Sequence, residues 1–113
     1  MEIRYEVETG WPDGLELRRR VAAYGRLDRV LGFKVGITCD PGNRAAQYRH
    51  KDPHYKEMVV IYKTRSDPMV RNIEREMTDW FDGDPECDNC APGGGCPRGT
   101  PPYYLYVVLR ERL

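Results

Sequence analysis

Apolar and polar positions alternate along this chain with two different periods, and the switches between them mark out strands and helices in turn. Near the start, Ile3, Tyr5 and Val7 alternate with Glu2, Arg4 and Glu6, the period-two pattern of a half-buried strand. Gly10, Pro12 and Gly14 interrupt it. Asp13 then stands as the N-cap of a helix whose Leu17, Val21, Tyr24 and Leu27 recur at three-to-four spacing, with Arg18, Arg19 and Arg20 mostly on the outer face. Gly25 is placed to end or kink it. Residues 33–38 read as a short strand with Gly36 inside it, and a glycine within a strand predicts the close approach of a backbone or a ligand. A turn through Asp40, Pro41 and Gly42 leads into a short helix over 44–50, with Ala45, Ala46 and Tyr48 available for packing and Pro53 beyond its end.

The second half is patterned more strongly. Residues 57–62 form a nearly continuous apolar run, which suits a central strand covered on both faces. Ser66, Asp67 and Pro68 open a helix over 69–82, whose stripe is Val70, Ile73, Met77, Trp80 and Phe81. Residues 83–102 then hold five glycines, five prolines and three cysteines. That composition forbids regular structure, and the stretch is longer than an untethered connection inside a domain, so something must tie it down. The run 103–109, rich in tyrosine, valine and leucine, returns the chain to the sheet as a final strand. The expectation is an α+β fold: a small, mostly antiparallel sheet flanked by helices, in one domain spanning 1–113.

Composition narrows the function classes. The chain has 113 residues, enough for one core and too few for two. Charged residues make up 32 % of it, and 18 basic side chains balance 18 acidic ones. With no net charge, any contact with nucleic acid has to be local rather than driven by a global field. The first residues carry neither the basic nor the apolar stretch of a secretory signal, and no apolar run reaches bilayer length, so a cytoplasmic protein without membrane contact is expected. The cysteines then read as thiols or metal ligands rather than disulfides.

One residue breaks the helical stripe. Glu74 falls among Val70, Met77 and Phe81, whereas Arg71, Arg75 and Asp79 point outward as a solvated face should. An unpaired carboxylate is expensive to bury, so Glu74 either sits at the stripe's edge paired with an arginine or does chemistry. Arg44, on the helix after the glycine-bearing strand, is the candidate partner in that chemistry. A carboxylate that anchors a divalent cation and an arginine that neutralises transition-state charge together suit phosphodiester hydrolysis.

At these residues a family resemblance emerges. Lys34-Val35-Gly36-Ile37-Thr38, followed by Asp40-Pro41-Gly42-Asn43-Arg44 and Tyr48-Arg49-His50, resembles the second signature strand and following helix of GIY-YIG nucleases, most closely their phage-associated branch. The strand over 57–62 and the helix carrying Ile73-Glu74-Arg75-Glu76-Met77 match that family's next strand and its glutamate helix, so the resemblance spans 33–82. It implies a divalent-metal-dependent endonuclease acting on nucleic acid, DNA in the first place, with Arg44 as catalytic arginine, Glu74 as the ligand of magnesium or manganese, and Gly36 as the signature glycine. Lys34 stands where the second-signature tyrosine would be, and His50 is a further catalytic candidate. The first signature strand is absent from its usual place. The tyrosine-rich run at 103–109 would supply it by circular permutation, making Tyr104 or Tyr106 the candidate catalytic tyrosine. The alternative is a module on the same scaffold that binds nucleic acid or a protein without cleaving it.

Two further groups carry possible chemistry. Arg49, Lys51, Lys56 and Lys63, with Arg44 and Arg65, are candidates for one phosphate-contacting face, against the simpler reading of a solvated surface. Cys87, Cys90 and Cys96 offer a Cys-x-x-Cys pair plus a third thiol. Zinc would need a fourth ligand from Cys39, His50 or His54 and would explain how the long loop is held; free thiols are the simpler alternative. A redox role is weaker, because the pair does not open a helix after a strand.

Overall fold

The computed structural model describes residues 1–88 and 99–111. Its elements run β1 (Glu2–Glu8), α1 (Gly14–Gly25), β2 (Val30–Thr38), α2 (Pro41–Lys51), β3 (Tyr55–Thr64), α3 (Asp67–Trp80) and β4 (Tyr103–Glu111). The strands form one sheet in the order β1-β3-β4-β2. β4 pairs antiparallel with both β2 and β3, and β1 joins β3 in parallel, so the α+β class and the predominantly antiparallel sheet both hold. The apolar run of β3 lies where its pattern requires, between two strands and covered on both faces.

Each helix starts at a side chain that accepts an otherwise unsatisfied backbone N–H. The Asp13 carboxylate accepts from the Glu16 amide at 3.1 Å, Asp40 from Asn43 at 3.0 Å, and the Ser66 hydroxyl from Met69 at 3.2 Å. Pro41 and Pro68 occupy the first turns of α2 and α3, where a missing N–H has no consequence. Asp40 therefore starts α2 three residues earlier than the apolar pattern alone suggests, which lengthens the helix that carries Arg44.

The side chains of each strand divide between two faces. Val35 and Ile37 of β2, Val59 and Ile61 of β3, and Leu105, Val107 and Leu109 of β4 pack with Leu17 and Val21 of α1 and Val70, Ile73 and Met77 of α3. Met58, Val60, Tyr106 and Val108 point the other way and pack with Ala45 of α2, with Ile3 and Val7 of β1 at the margin. Helix α2 rests on β3 and β1 and leaves the β2 side of that face uncovered. Gly25 closes α1 for a packing reason: a Cβ there would lie 2.7 Å from the Phe33 ring.

Two apolar expectations fail. Tyr5 is exposed, because β1 is an edge strand whose register with β3 shifts after it. Trp80 is exposed too, and the Arg18 guanidinium lies over its ring, 4.0 Å from the centroid, instead of core side chains. Within the apolar run of β3, Glu57 is buried and is held by Arg4 at 2.7 Å and Arg29 at 3.0 Å. Among the described residues no helix is long and apolar enough to cross a membrane.

The segment after α3 is tied to the sheet by an acid. Phe33 donates its amide to the Glu86 carbonyl at 2.9 Å, and its own carbonyl accepts from the Asp88 amide at 2.7 Å. The Asp88 carboxylate takes a bidentate bond from Arg110, both distances 3.0 Å, and one from the Tyr55 hydroxyl at 2.7 Å. Cys87, between these anchors, is buried in the core cluster with Phe33.

Candidate phosphate cleft and the Arg44–Tyr106 cluster

The open part of the α2 face forms a cleft of about 370 Å³. Its lining comes from three directions: Lys34 from β2, Arg44, Gln47, Tyr48 and Lys51 from α2, and Tyr55 from the start of β3, with Asp52 at the helix end. Positions 44, 47, 48 and 51 are one helical stripe, three to four residues apart, so a single face of α2 builds one wall. Three cations against one carboxylate give the cleft a positive lining within an overall neutral protein.

Beneath that wall lies Tyr106. Its ring crosses Gly36, directly opposite in the β2–β4 register, and a Cβ on Gly36 would come within 2.5 Å of the phenol Cζ. The close approach predicted for this glycine is therefore made by a tyrosine ring. The Tyr106 hydroxyl receives Arg44 Nη1 at 3.3 Å and lies 3.0 Å from the Tyr48 hydroxyl. Tyr106 itself is only 1 % exposed, so it braces Arg44 and Tyr48 from below, and Tyr48 is the tyrosine that lines the cleft. Burial first, and the neighbouring Tyr106 second, push the Tyr48 phenol well above its ordinary range, so it is a neutral donor at physiological pH.

Glu74 is 4 % exposed on the inner side of α3, and its Oε2 has no hydrogen-bond partner. Glu74 is therefore neither at the stripe's edge nor ion-paired with an arginine among the described residues, contrary to the pairing weighed from the sequence. Burial pushes the carboxyl up to about 7, opposed by the charges of Arg71 and Arg44. Glu74 thus lies within the field of Arg44, although it is not among the residues that line the cleft. The orphaned Oε2 is of the donor type that a divalent cation takes, although no group of three or more His, Cys, Asp or Glu converges there among the described residues.

The other sequence candidates separate. Lys34 and Lys51 are in the cleft, whereas His50 is exposed on the last turn of α2 and does not line it. Tyr104 lies on the same face of β4 as Tyr106 but nearer the strand's start, with Lys63 Nζ 5.9 Å from its ring centroid. Arg49, Lys56 and Lys63 are exposed and do not line the cleft. Cys90 and Cys96 lie outside the described residues. Of the ligands considered to complete a zinc site, Cys39 is half-buried beside Gly99, and His50 and His54 are exposed. Among the described residues no group of three or more His, Cys, Asp or Glu side chains converges as a metal cluster would.

Sequence reading missed Tyr48 as a site residue, although its position four after Arg44 on α2 was the available signal. It also missed the Asp88–Arg110–Tyr55 clamp, whose members are up to 33 positions apart from Asp88 and share no local pattern. No protein-family model, no curated protein and no solved structure matches this chain.

Proposed function

We propose that this protein is a metal-dependent, GIY-YIG-like nuclease that hydrolyses phosphodiester bonds in nucleic acid, with DNA the expected substrate. The observation that carries this reading is the meeting of Arg44 and Tyr48 on the Tyr106 hydroxyl over Gly36, from positions as far as 62 residues apart. It brings the arginine and the glycine of the resembling motif together with a tyrosine of the C-terminal strand, as a permuted signature would require.

In this reading Arg44 binds a non-bridging phosphate oxygen and neutralises the charge that grows there in the transition state. Tyr48 stays protonated and donates a hydrogen bond to the same group. Tyr106 holds both in position from beneath, so it is a positioning residue rather than a base. Glu74 would hold the magnesium or manganese ion, which when bound supplies Lewis-acid polarisation of the phosphate. The second reading, a module that binds nucleic acid without cleaving it, is favoured by one fact: Glu74 is buried and does not line the cleft.

The test is cleavage of supercoiled plasmid and of single-stranded and branched DNA in magnesium or manganese, by the wild type, Arg44→Ala and Glu74→Ala. The expected outcome is metal-dependent nicking by the wild type and loss of about 100-fold or more in each variant, with folding intact by circular dichroism. Salt-sensitive binding with no cleavage by the wild type would establish the binding module instead.

A further inference from the structure

We infer that the cleft holds two successive phosphates of one nucleic-acid strand, the first at Arg44 and Tyr48 and the second at a separate subsite made by Lys34 and Lys51. The inference rests on the nucleic-acid reading of this cleft and extends it by assigning the path of the strand, along α2 from its first turn to its last.

Among the described residues, four of the five half-buried arginines outside the cleft pair with acids, and the fifth, Arg18, has a buried Nε without a hydrogen-bond partner. Arg4 and Arg20 pair with acids of β1, and Arg4 also with Glu57; Arg71 pairs with Asp67, Arg110 with Asp88, and Arg18 stacks on Trp80. Lys34 and Arg44 are also half-buried, and neither makes an ion pair. Both face the cleft, and Lys51 at its rim adds a third unpaired charge even though Asp52 is its chain neighbour. Withdrawing cations from water without a counter-charge is unfavourable, so this arrangement is suited to an anion that arrives from outside.

The spacing indicates more than one phosphate. Arg44 and Lys51 are seven residues apart on one helix, about 10 Å along its axis. The Arg44 guanidinium is held on the Tyr106 hydroxyl at one end of that span, so the two cations mark opposite ends of the wall. Lys34 comes from β2 and stands opposite Val108, two positions along from the Gly36–Tyr106 pair toward the end of β4 that pairs with Tyr55, and the Tyr106 hydroxyl has Arg44 and Tyr48 as its partners. The cleft volume of about 370 Å³ equals the share of roughly a dozen waters, ample for a phosphodiester and its neighbour. Lys34 is therefore assigned to holding the strand rather than to the reacting centre.

The experiment is fluorescence anisotropy of a labelled 12-nucleotide single-stranded DNA in metal-free buffer, titrated with the full chain at several salt concentrations. Lys34→Gln and Lys51→Gln should each lower the salt slope by about 0.7 and weaken low-salt binding about fivefold, with Lys34→Arg restoring the slope. Arg19→Gln, on the exposed face of α1, should leave both unchanged. Binding that depends on Arg44 but keeps its salt slope in Lys34→Gln and Lys51→Gln would overturn the second subsite and leave the nucleic-acid reading standing. Absence of oligonucleotide binding by a folded wild type would overturn both.

Discussion

The two faces of this sheet use the same strands and treat polar groups in opposite ways. On the face covered by α1 and α3, side chains from every strand but β1 meet two helices in one continuous apolar cluster, and the buried charge at its margin, Glu57, is held by two arginines. On the other face α2 covers only part of the sheet, the apolar cluster is small, and where it stops Lys34, Arg44 and Tyr48 begin. Two helices close a face against water and allow few unpaired groups there; one helix leaves a concave edge where charge can be both sheltered and reachable. A stability core and a chemical site can therefore share one thin sheet, provided they lie on opposite sides of it. Glu74 is the charged group that departs from this division, since it belongs to α3 and is buried with one oxygen unsatisfied.

Truncation in the closed face should have the largest effect. Met77 is fully buried between α3 and the sheet, so Met77→Ala should cost about 2–5 kcal/mol in urea unfolding. Arg49→Ala on the exposed side of α2 should stay within about 0.5 kcal/mol. Comparable losses from the two would mean that the closed face is not the stability core.

Glu74 comes next, and its effect has a sign. Its folded value of about 7 lies above the ordinary 4.5, so between those values the folded state binds more protons than the unfolded state. Its contribution is therefore most favourable below about pH 4.5, declines as pH rises toward 7, and is level above that. The decline should be about 2–3 kcal/mol in chelator-treated protein and should vanish in Glu74→Gln, measured by denaturant midpoints across pH. An identical pH profile for the variant would mean that the carboxylate finds a partner in solution.

Gly36→Ala probes the open face. The added Cβ collides with the Tyr106 ring, and a loss of about 1–3 kcal/mol is expected. In a Tyr106→Ala background the same substitution should cost much less, and that non-additivity in a double-mutant cycle identifies the contact. Smallest is the clamp: Asp88→Asn weakens the bonds from Arg110 and Tyr55 and should cost about 1 kcal/mol, read as faster proteolysis after α3 with the rest of the fold unchanged. Global unfolding by this variant would make the clamp part of the core.

Legibility followed locality. The strand over 57–62 could be placed at the centre of the sheet because its neighbours in sequence are apolar on both faces, and the helix after Ser66 because a cap, a proline and a stripe coincide within a few residues. Gly36 could be flagged as a close approach, yet only pairing with β4 identifies the ring that approaches it. Trp80 continued the helical stripe and still ended up exposed while the adjacent Phe81 is buried, since which side of a stripe's end is covered depends on where the opposing surface lies. Arg49 and His50 were candidates on α2, and the rotation of about 100° per helical residue instead brings Tyr48 beside Arg44 in the cleft and leaves those two exposed.

By itself the sequence determined the α+β class, the starts of α1 and α3, and the candidates Arg44 and Glu74, because caps, periodicity and a misplaced charge are all written within a turn or two of chain. Only the tertiary structure decided that Tyr106 lies under Arg44, that Lys34 and Lys51 share a cleft, and that Asp88 anchors the start of the segment after α3 to the sheet. These depend on strand order and register, which juxtapose residues tens of positions apart, and no local pattern encodes which of several eligible side chains a strand brings opposite a given glycine.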